Sequence, residues 1–215
     1  MSGRSVVEFY YCCSCPWTYL AFVRLQETAV RAGAAIVFRP IVNAWLPHSA
    51  QQSLKALRHP TDPAAAAYAV KDLADWARFC GAPIHPERPW RGSPEWVQRG
   101  AIAAMQLGGI GPYAMAAFRA AHGEGLDLSG RAAVVALAAG CGLEGPEFES
   151  LLDSEDALEA VRHNTDRLRD RGGFGSPTAF LGEDMYFGHD RMPLLEAALM
   201  LGSDRRFIAP GEHGR

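Results

Sequence analysis

No apolar run in this sequence is long enough to cross a bilayer, because its alanine-rich segments are short and interrupted. Nor does a basic start lead into an uninterrupted apolar stretch, since Glu8 and a cysteine cluster follow almost at once. Massed basic residues are missing as well. The net charge is -3 and the arginines are scattered, which argues against a nucleic-acid partner. There is no internal repeat and no low-complexity tract. The expectation is a cytoplasmic chain without a membrane partner, where structural disulfides are rare. A second cysteine pair is also lacking. Cys80 and Cys141 stand alone in helix-like apolar settings and read as core residues.

What is present is a chain of 215 residues, 48% hydrophobic, with enough apolar content for a substantial core. That length suits one domain, or a small domain carrying a large insertion. Val6 to Tyr11 reads as a short buried strand. Pro16 suits the first helical turn, where its missing N–H has no partner to lose, and Gly33 suits the stop. Ala34 to Val42 reads as the next strand, and Pro40 puts its end at an edge. Strand, helix and strand in so few residues predict a parallel βαβ unit.

The middle changes character. Helical spacing covers Asp62 to Cys80, Val97 to Leu107, Tyr113 to His122 and Arg131 to Ala139, and one or two more helices follow up to Arg171. A proline-rich turn region interrupts between Pro83 and Pro94. No strand signal stands out from Val42 to Phe174. Afterwards TAFLG and YFG read as a hairpin around an EDM turn, and MPLLEAALML as a closing amphipathic helix. The order predicts an α/β protein: a thioredoxin-like fold with an all-helical insertion. The expected thioredoxin-like part is discontinuous, 1–44 with 160–205. The insertion would occupy 45–159 and a flexible tail 206–215.

Three of the five cysteines fall within four positions, in CCSCPWTYL. A zinc site would want four ligands from suitable spacings, and no further pair supplies them, so no metal is expected. A redox pair between Cys12 and Cys15 has the C-x-x-C spacing. Yet Pro16 marks the helix start, so the inner position of such a motif falls on Thr18, and Cys12 lies back in the strand. Bridging it to Cys15 would need a sharp reversal of the chain. The third reading is a single thiol, Cys15, at the start of a helix. Unpaired N–H groups and the positive end of a helix dipole favour a sulfur anion there. Cys12 or Cys13, or both, would then be core residues.

FGSPT, residues Phe174 to Thr178, precedes the late strand. A cis proline there would face the helix start and expose backbone groups of Ser176. An ordinary turn proline is the competing reading.

With these pieces assembled, FYYCCSCPWTYLA, FGSPTAFLGEDMYFGHDR and the helical middle resemble the 2-hydroxychromene-2-carboxylate isomerases and the kappa-class glutathione transferases. Both lie within the wider thiol-oxidoreductase group with a helical insertion. The likeness spans Val6 to about Leu201, with its specific parts at the two ends. It implies glutathione as cofactor and a small conjugated, aromatic-derived substrate, as in aromatic catabolism. The family serine that holds the glutathione thiolate is replaced here by Cys15, the catalytic candidate. Cofactor contacts fall on Ser176 and Pro177, on Asp190 and Arg191 of GHDR, and on Asn164. A carboxylate at Asp190 suits an α-ammonium and the Arg191 fork suits a carboxylate; a helix cap and a surface charge are the alternatives. Trp17, Tyr19, Trp45 and Trp90 are the candidate pocket walls, with the reservation that aromatics are more often core. Relatives tend to carry an asparagine six residues before an arginine; Ser93 before Arg99 takes that place. They are often homodimers, and no surface in the sequence shows one.

Cysteine in place of serine divides the chemistry. Two thiolates side by side repel, so Cys15 and a glutathione thiol do not both ionise cheaply. Either Cys15 stays protonated as a weak donor, or it reacts as a monothiol in disulfide exchange. A binding protein that keeps the scaffold without the chemistry is the third class.

Overall fold

The computed structural model describes residues 4–58, 60–86, 90 and 93–201. β1 (Val6–Tyr11), α1 (Pro16–Ala32) and β2 (Ala35–Pro40) form the opening unit. Pro16 is the first helical residue of α1, and Gly33 closes it in the left-handed region at φ 62°. β1 and β2 are parallel, with Phe9 opposite Phe38. Strand β2 stops at Pro40, short of the expected Val42.

The sheet is completed from the far end of the chain. β3 (Thr178–Leu181) runs antiparallel to β1, and β4 (Asp184–Phe187) antiparallel to β3. The order β2-β1-β3-β4 puts Pro40 on an edge strand, where its missing donor costs nothing to a neighbour. The hairpin turn is Gly182–Glu183 rather than EDM, so Asp184 and Met185 belong to β4. Gly182 at φ 60° supplies the positive dihedral that a two-residue hairpin needs at its first position.

Alternation along β1 divides the core. Val7, Phe9, Tyr11 and Cys13 join Leu20, Phe22 and Leu25 of α1 in the main cluster. Tyr10 and Cys12 face the other side, with Ile41, Leu168 and Phe180. Both Cys12 and Cys13 are therefore buried, one on each face.

Between β2 and β3 the described residues form only helices and turns. They are α2 (His48–Arg58), α3 (Pro63–Phe79), α4 (Glu95–Gln106), α5 (Ile110–Phe118), α6 (Arg131–Ala139), α7 (Pro146–Asp153) and α8 (Glu155–Asp170). α2 was not expected, because HSAQQSLKALR offers few apolar residues to reveal a period. The segment expected to run helical to His122 leaves α5 at Phe118 and continues as a π-helical turn, Arg119–Glu124. Ser154 separates α7 from α8 and caps the latter, accepting from the Ala157 N–H at 3.2 Å. α4 packs against α5, α6, α7 and α8. Gly100 allows this approach: a Cβ there would lie 2.2 Å from the Tyr113 hydroxyl oxygen. α9 (Met192–Leu201) returns to pack on α1. The expected tail lies outside the described residues. Cys80 and Cys141 are only half-buried, each just past a helix end, so they sit at the rim of the core rather than within it.

Candidate functional site

Cys15 is the N-cap of α1, with extended backbone (φ -107°, ψ 116°), and is 3% exposed. The Thr18 and Tyr19 N–H groups close onto its carbonyl at 3.0 and 3.3 Å. Pro16 has no N–H, so among the described residues the Trp17 N–H is the first-turn donor left without a backbone partner. Its local positive charge is added to by the dipole of the 17-residue helix behind it.

The late loop meets this terminus. Ser176–Pro177 is a cis peptide, and the Cys15 thiol donates to the Ser176 carbonyl at 3.7 Å. The Ser176 hydroxyl is buried and accepts from Thr18 Oγ1 at 3.2 Å and from Asn43 Nδ2 at 3.0 Å. Thr18, which stands where a dithiol motif would carry its second cysteine, instead ties α1 to the cis-proline loop. Asn43 follows β2, so three separate stretches of chain converge on Ser176.

The CCSC loop is braced from the helical block. Gln98 on α4 is fully buried and donates from Nε2 to Tyr11 O at 2.7 Å and Ile41 O at 2.9 Å. Its Oε1 accepts the Cys13 N–H at 3.4 Å. His122, in the π-helical turn, donates from Nε2 to the Cys13 carbonyl at 2.8 Å. Burial pushes the His122 pKa down to about 4, and the Cys13 bond only partly opposes this. Burial also raises the Cys13 thiol well above its ordinary value.

GHDR closes the same corner. The Gly188 N–H donates to the Pro177 carbonyl at 2.9 Å, which fixes the segment beside the cis proline. His189 is 7% exposed, stacks on Trp17 at 4.5 Å and meets the edge of Trp76 at 4.6 Å. Among the described residues its buried Nε2 has no hydrogen-bond partner, and burial lowers its pKa to about 4. Asp190 and Arg191 pair with one another, each about half exposed.

The structure thus brings Cys15, Ser176, Pro177, Trp17, Asp190 and Arg191 onto three adjoining segments. Other candidates fall elsewhere. Asn164 is buried on α8 and donates to the Pro40 carbonyl at 3.2 Å, so its amide holds the end of β2. Tyr19 is corrected from pocket wall to core: it is 1% exposed and stacked against Phe118 at 5.3 Å. Its neighbour Thr18 faces the cis-proline loop instead, as a helix turns 100° per residue. Trp45 is 37% exposed on the short helical turn that carries Asn43. Trp90 is half-buried against the main core. Ser93 accepts from the Glu95 N–H at 3.3 Å, and Arg99 is buried on the Leu152 and Ser154 carbonyls, so both serve the helical block. Sequence reasoning missed Asn43, Gln98, His122 and His189. Only His189 had a signal within reach, its place inside GHDR.

Residues 6–200 match the DsbA-like thioredoxin domain. The 2-hydroxychromene-2-carboxylate isomerase of Pseudomonas putida is 30% identical over 199 residues, covering 90% of this chain and 94% of that one. Its counterpart from Pseudomonas sp. (strain C18) is 29% identical, covering 90% of each. A solved 2-hydroxychromene-2-carboxylate isomerase superposes with a TM-score of 0.71 at 25% identity, over 91% of this chain and 95% of that one. A probable DsbA oxidoreductase from Streptomyces coelicolor superposes with a TM-score of 0.75 at 19% identity, over 92% and 89% of the two chains, and so shares the fold. The chain therefore belongs to the DsbA-like thioredoxin family, alongside the 2-hydroxychromene-2-carboxylate isomerases.

Proposed function

We propose that the protein is a glutathione-dependent isomerase or transferase acting on a small conjugated, aromatic-derived substrate such as a 2-hydroxychromene-2-carboxylate. The observation that carries this reading is the convergence at one corner of the Cys15 helix start, the Ser176–Pro177 cis peptide and the GHDR segment tied to Pro177. When bound, glutathione supplies a thiolate that adds reversibly to a conjugated carbon and makes the adjoining bond free to rotate. The chain's own groups fit such a guest. Among the described residues the Trp17 N–H has no backbone partner and can steady a sulfur anion, and the Ser176 carbonyl, which now accepts from the weak Cys15 donor, can accept from a peptide N–H. Asp190 and Arg191 match an α-ammonium and a carboxylate once their mutual pair opens. In this role Cys15 remains a thiol and donates weakly, as it does now to Ser176.

A second reading has its own support. Cys15 is a thiol where the isomerase-type serine would stand, and it lies against the carbonyl before a cis proline. It would then be the nucleophile of a monothiol disulfide exchange.

Calorimetric titration with reduced glutathione, and conversion of the chromene with and without it, separate the two. Saturable binding, glutathione-dependent conversion and retained turnover in Cys15→Ser support the isomerase reading. Absence of both binding and conversion refutes it. Loss of all turnover in Cys15→Ser, together with disulfide exchange by the wild type, transfers the case to the second.

A further inference from the structure

Cys12 and Cys15 are the first and fourth residues of a hydrogen-bonded turn. The Cys15 N–H donates to the Cys12 carbonyl at 3.2 Å. The reversal that a Cys12–Cys15 bridge requires is therefore already made, because β1 ends at Tyr11 and the chain turns at once. Such a turn holds its outer Cα atoms within about 7 Å. Disulfides span Cα separations of about 4.4–6.8 Å.

The surroundings of the Cys12 sulfur are more polar than its burial suggests. Ser14 Oγ lies 3.1 Å from it, and the backbone N–H groups of Ser14 and Asn43 are near enough to favour its anion. Burial raises this thiol, while those three contacts favour its anion and the nearby Cys15 charge disfavours it. Asn43 then leads back to the site: its amide holds the Ser176 hydroxyl, and the Ser176 carbonyl accepts the Cys15 thiol. Cys12 and Cys15 thus share one turn, with Asn43 near the first and Ser176 against the second. Cys13 differs, since its side chain lies in the main core on the opposite side of the sheet.

We propose that Cys12 is the resolving thiol for Cys15, so that a disulfide adduct formed on Cys15 is converted into an internal Cys12–Cys15 bond. With a low-molecular-weight disulfide such as glutathione disulfide, the Cys15 thiolate attacks one sulfur and releases one glutathione thiol. The Cys12 thiolate then attacks the Cys15 sulfur and releases the second. Two protein thiols are oxidised, one disulfide is reduced to two thiols, and the two protein protons end on the released glutathione. The pair runs from the helix start back toward the strand, not into the helix, where Thr18 stands. Oxidation takes the Cys15 sulfur away from the Ser176 carbonyl and closes the corner to a guest thiol. None of this depends on the isomerase reading.

The test treats the full-length reduced protein with glutathione disulfide, quenches with acid, and follows intact and peptide masses with released thiol. The expected wild-type course is a transient Cys15–glutathione adduct. It ends in a Cys12–Cys15 disulfide with two glutathione thiols released per chain. Cys12→Ala and Cys12→Ser stop at a stable adduct and release one; Cys15→Ser forms none; Cys13→Ala follows the wild type. A stable wild-type adduct, release of one thiol only, linkage through Cys13, or no reaction at Cys15 would each overturn the proposal. The stoichiometry is read on the wild type, so it stands even where a variant does not fold. Glutathione-dependent conversion by the reduced protein is a separate measurement, so either idea fails without the other.

Discussion

His122 Nε2 lies 2.8 Å from the carbonyl oxygen of Cys13, across 109 residues of sequence. The imidazole belongs to the π-helical turn that follows α5; the carbonyl belongs to the loop that presents Cys15. Removing the imidazole leaves a buried carbonyl unpaired and a void beside Tyr19 and Phe118. His122→Ala should lower stability by about 2–4 kcal/mol, read by urea unfolding. It should also speed native-state alkylation of Cys15, by about tenfold for each 1.4 kcal/mol of local stability lost. Unchanged alkylation would show that the loop holds its shape without this brace.

Gln98 makes a sharper case, because each of its polar atoms has a defined role. Gln98→Glu keeps the size but replaces the two donated bonds to Tyr11 O and Ile41 O with a carboxylate against carbonyls. It should cost more than Gln98→Ala, itself expected to cost about 3 kcal/mol. Equal midpoints for the two variants in denaturant would contradict the assignment of Nε2 as the donor.

The two buried imidazoles set an acid limit. His122 and His189 have folded pKa values lowered to about 4 from an ordinary 6.5, in each case chiefly by burial. Between those values the unfolded chain binds more protons than the folded one. The stability they contribute is complete above pH 6.5, declines as pH falls toward 4, and changes no further below it. The size is on the order of 3 kcal/mol for His122, and smaller for His189, which solvent screens more. Surface carboxylates such as Asp153, held down by Arg131, lose their contribution at lower pH than this window. Urea midpoints recorded from pH 7.5 to 4 should fall steeply in the wild type. In His189→Phe, which keeps an aromatic ring against Trp17, they should fall less.

Gly188 tests the closing corner. Its φ is 95°, and an added Cβ would lie 2.5 Å from Asp190 Oδ1. Gly188→Ala should cost about 1–3 kcal/mol and displace the Asp190 carboxylate. On the proposed glutathione reading, affinity measured by calorimetry should weaken together with the melting temperature. Full affinity in a destabilised Gly188→Ala would separate Asp190 from the guest.

Local chemistry made much of the frame legible. Pro16 and Gly33 marked both ends of α1 because each acts on its own backbone. Crowded apolar residues marked β1, and Pro40 marked the edge. The hairpin turn starts one residue and ends two residues earlier than expected because Gly182 dictates a turn by its dihedral, whereas the polar EDM only resembles one. α2 was invisible because its apolar face is thin. The corner formed by Cys15 and Ser176 was readable from two short motifs. Its supports were not. Gln98 reaches Cys13 over 85 residues and Asn43 reaches Ser176 over 133, and no local spacing announces a lone amide bonding at such range. Tyr19 was misplaced because aromatic content says nothing about which way a helix faces.

The two carbonyls held by Gln98 belong to Tyr11, at the end of β1, and to Ile41, just past the end of β2. Their parallel ladder thus gains a final rung made by a side chain from another part of the molecule. Grafting the helical block of a relative onto this sheet, to alter substrate range, would therefore demand a donor in register with that rung. An exchange that matched only length and helicity would leave the strand ends splayed and the cysteine loop adrift.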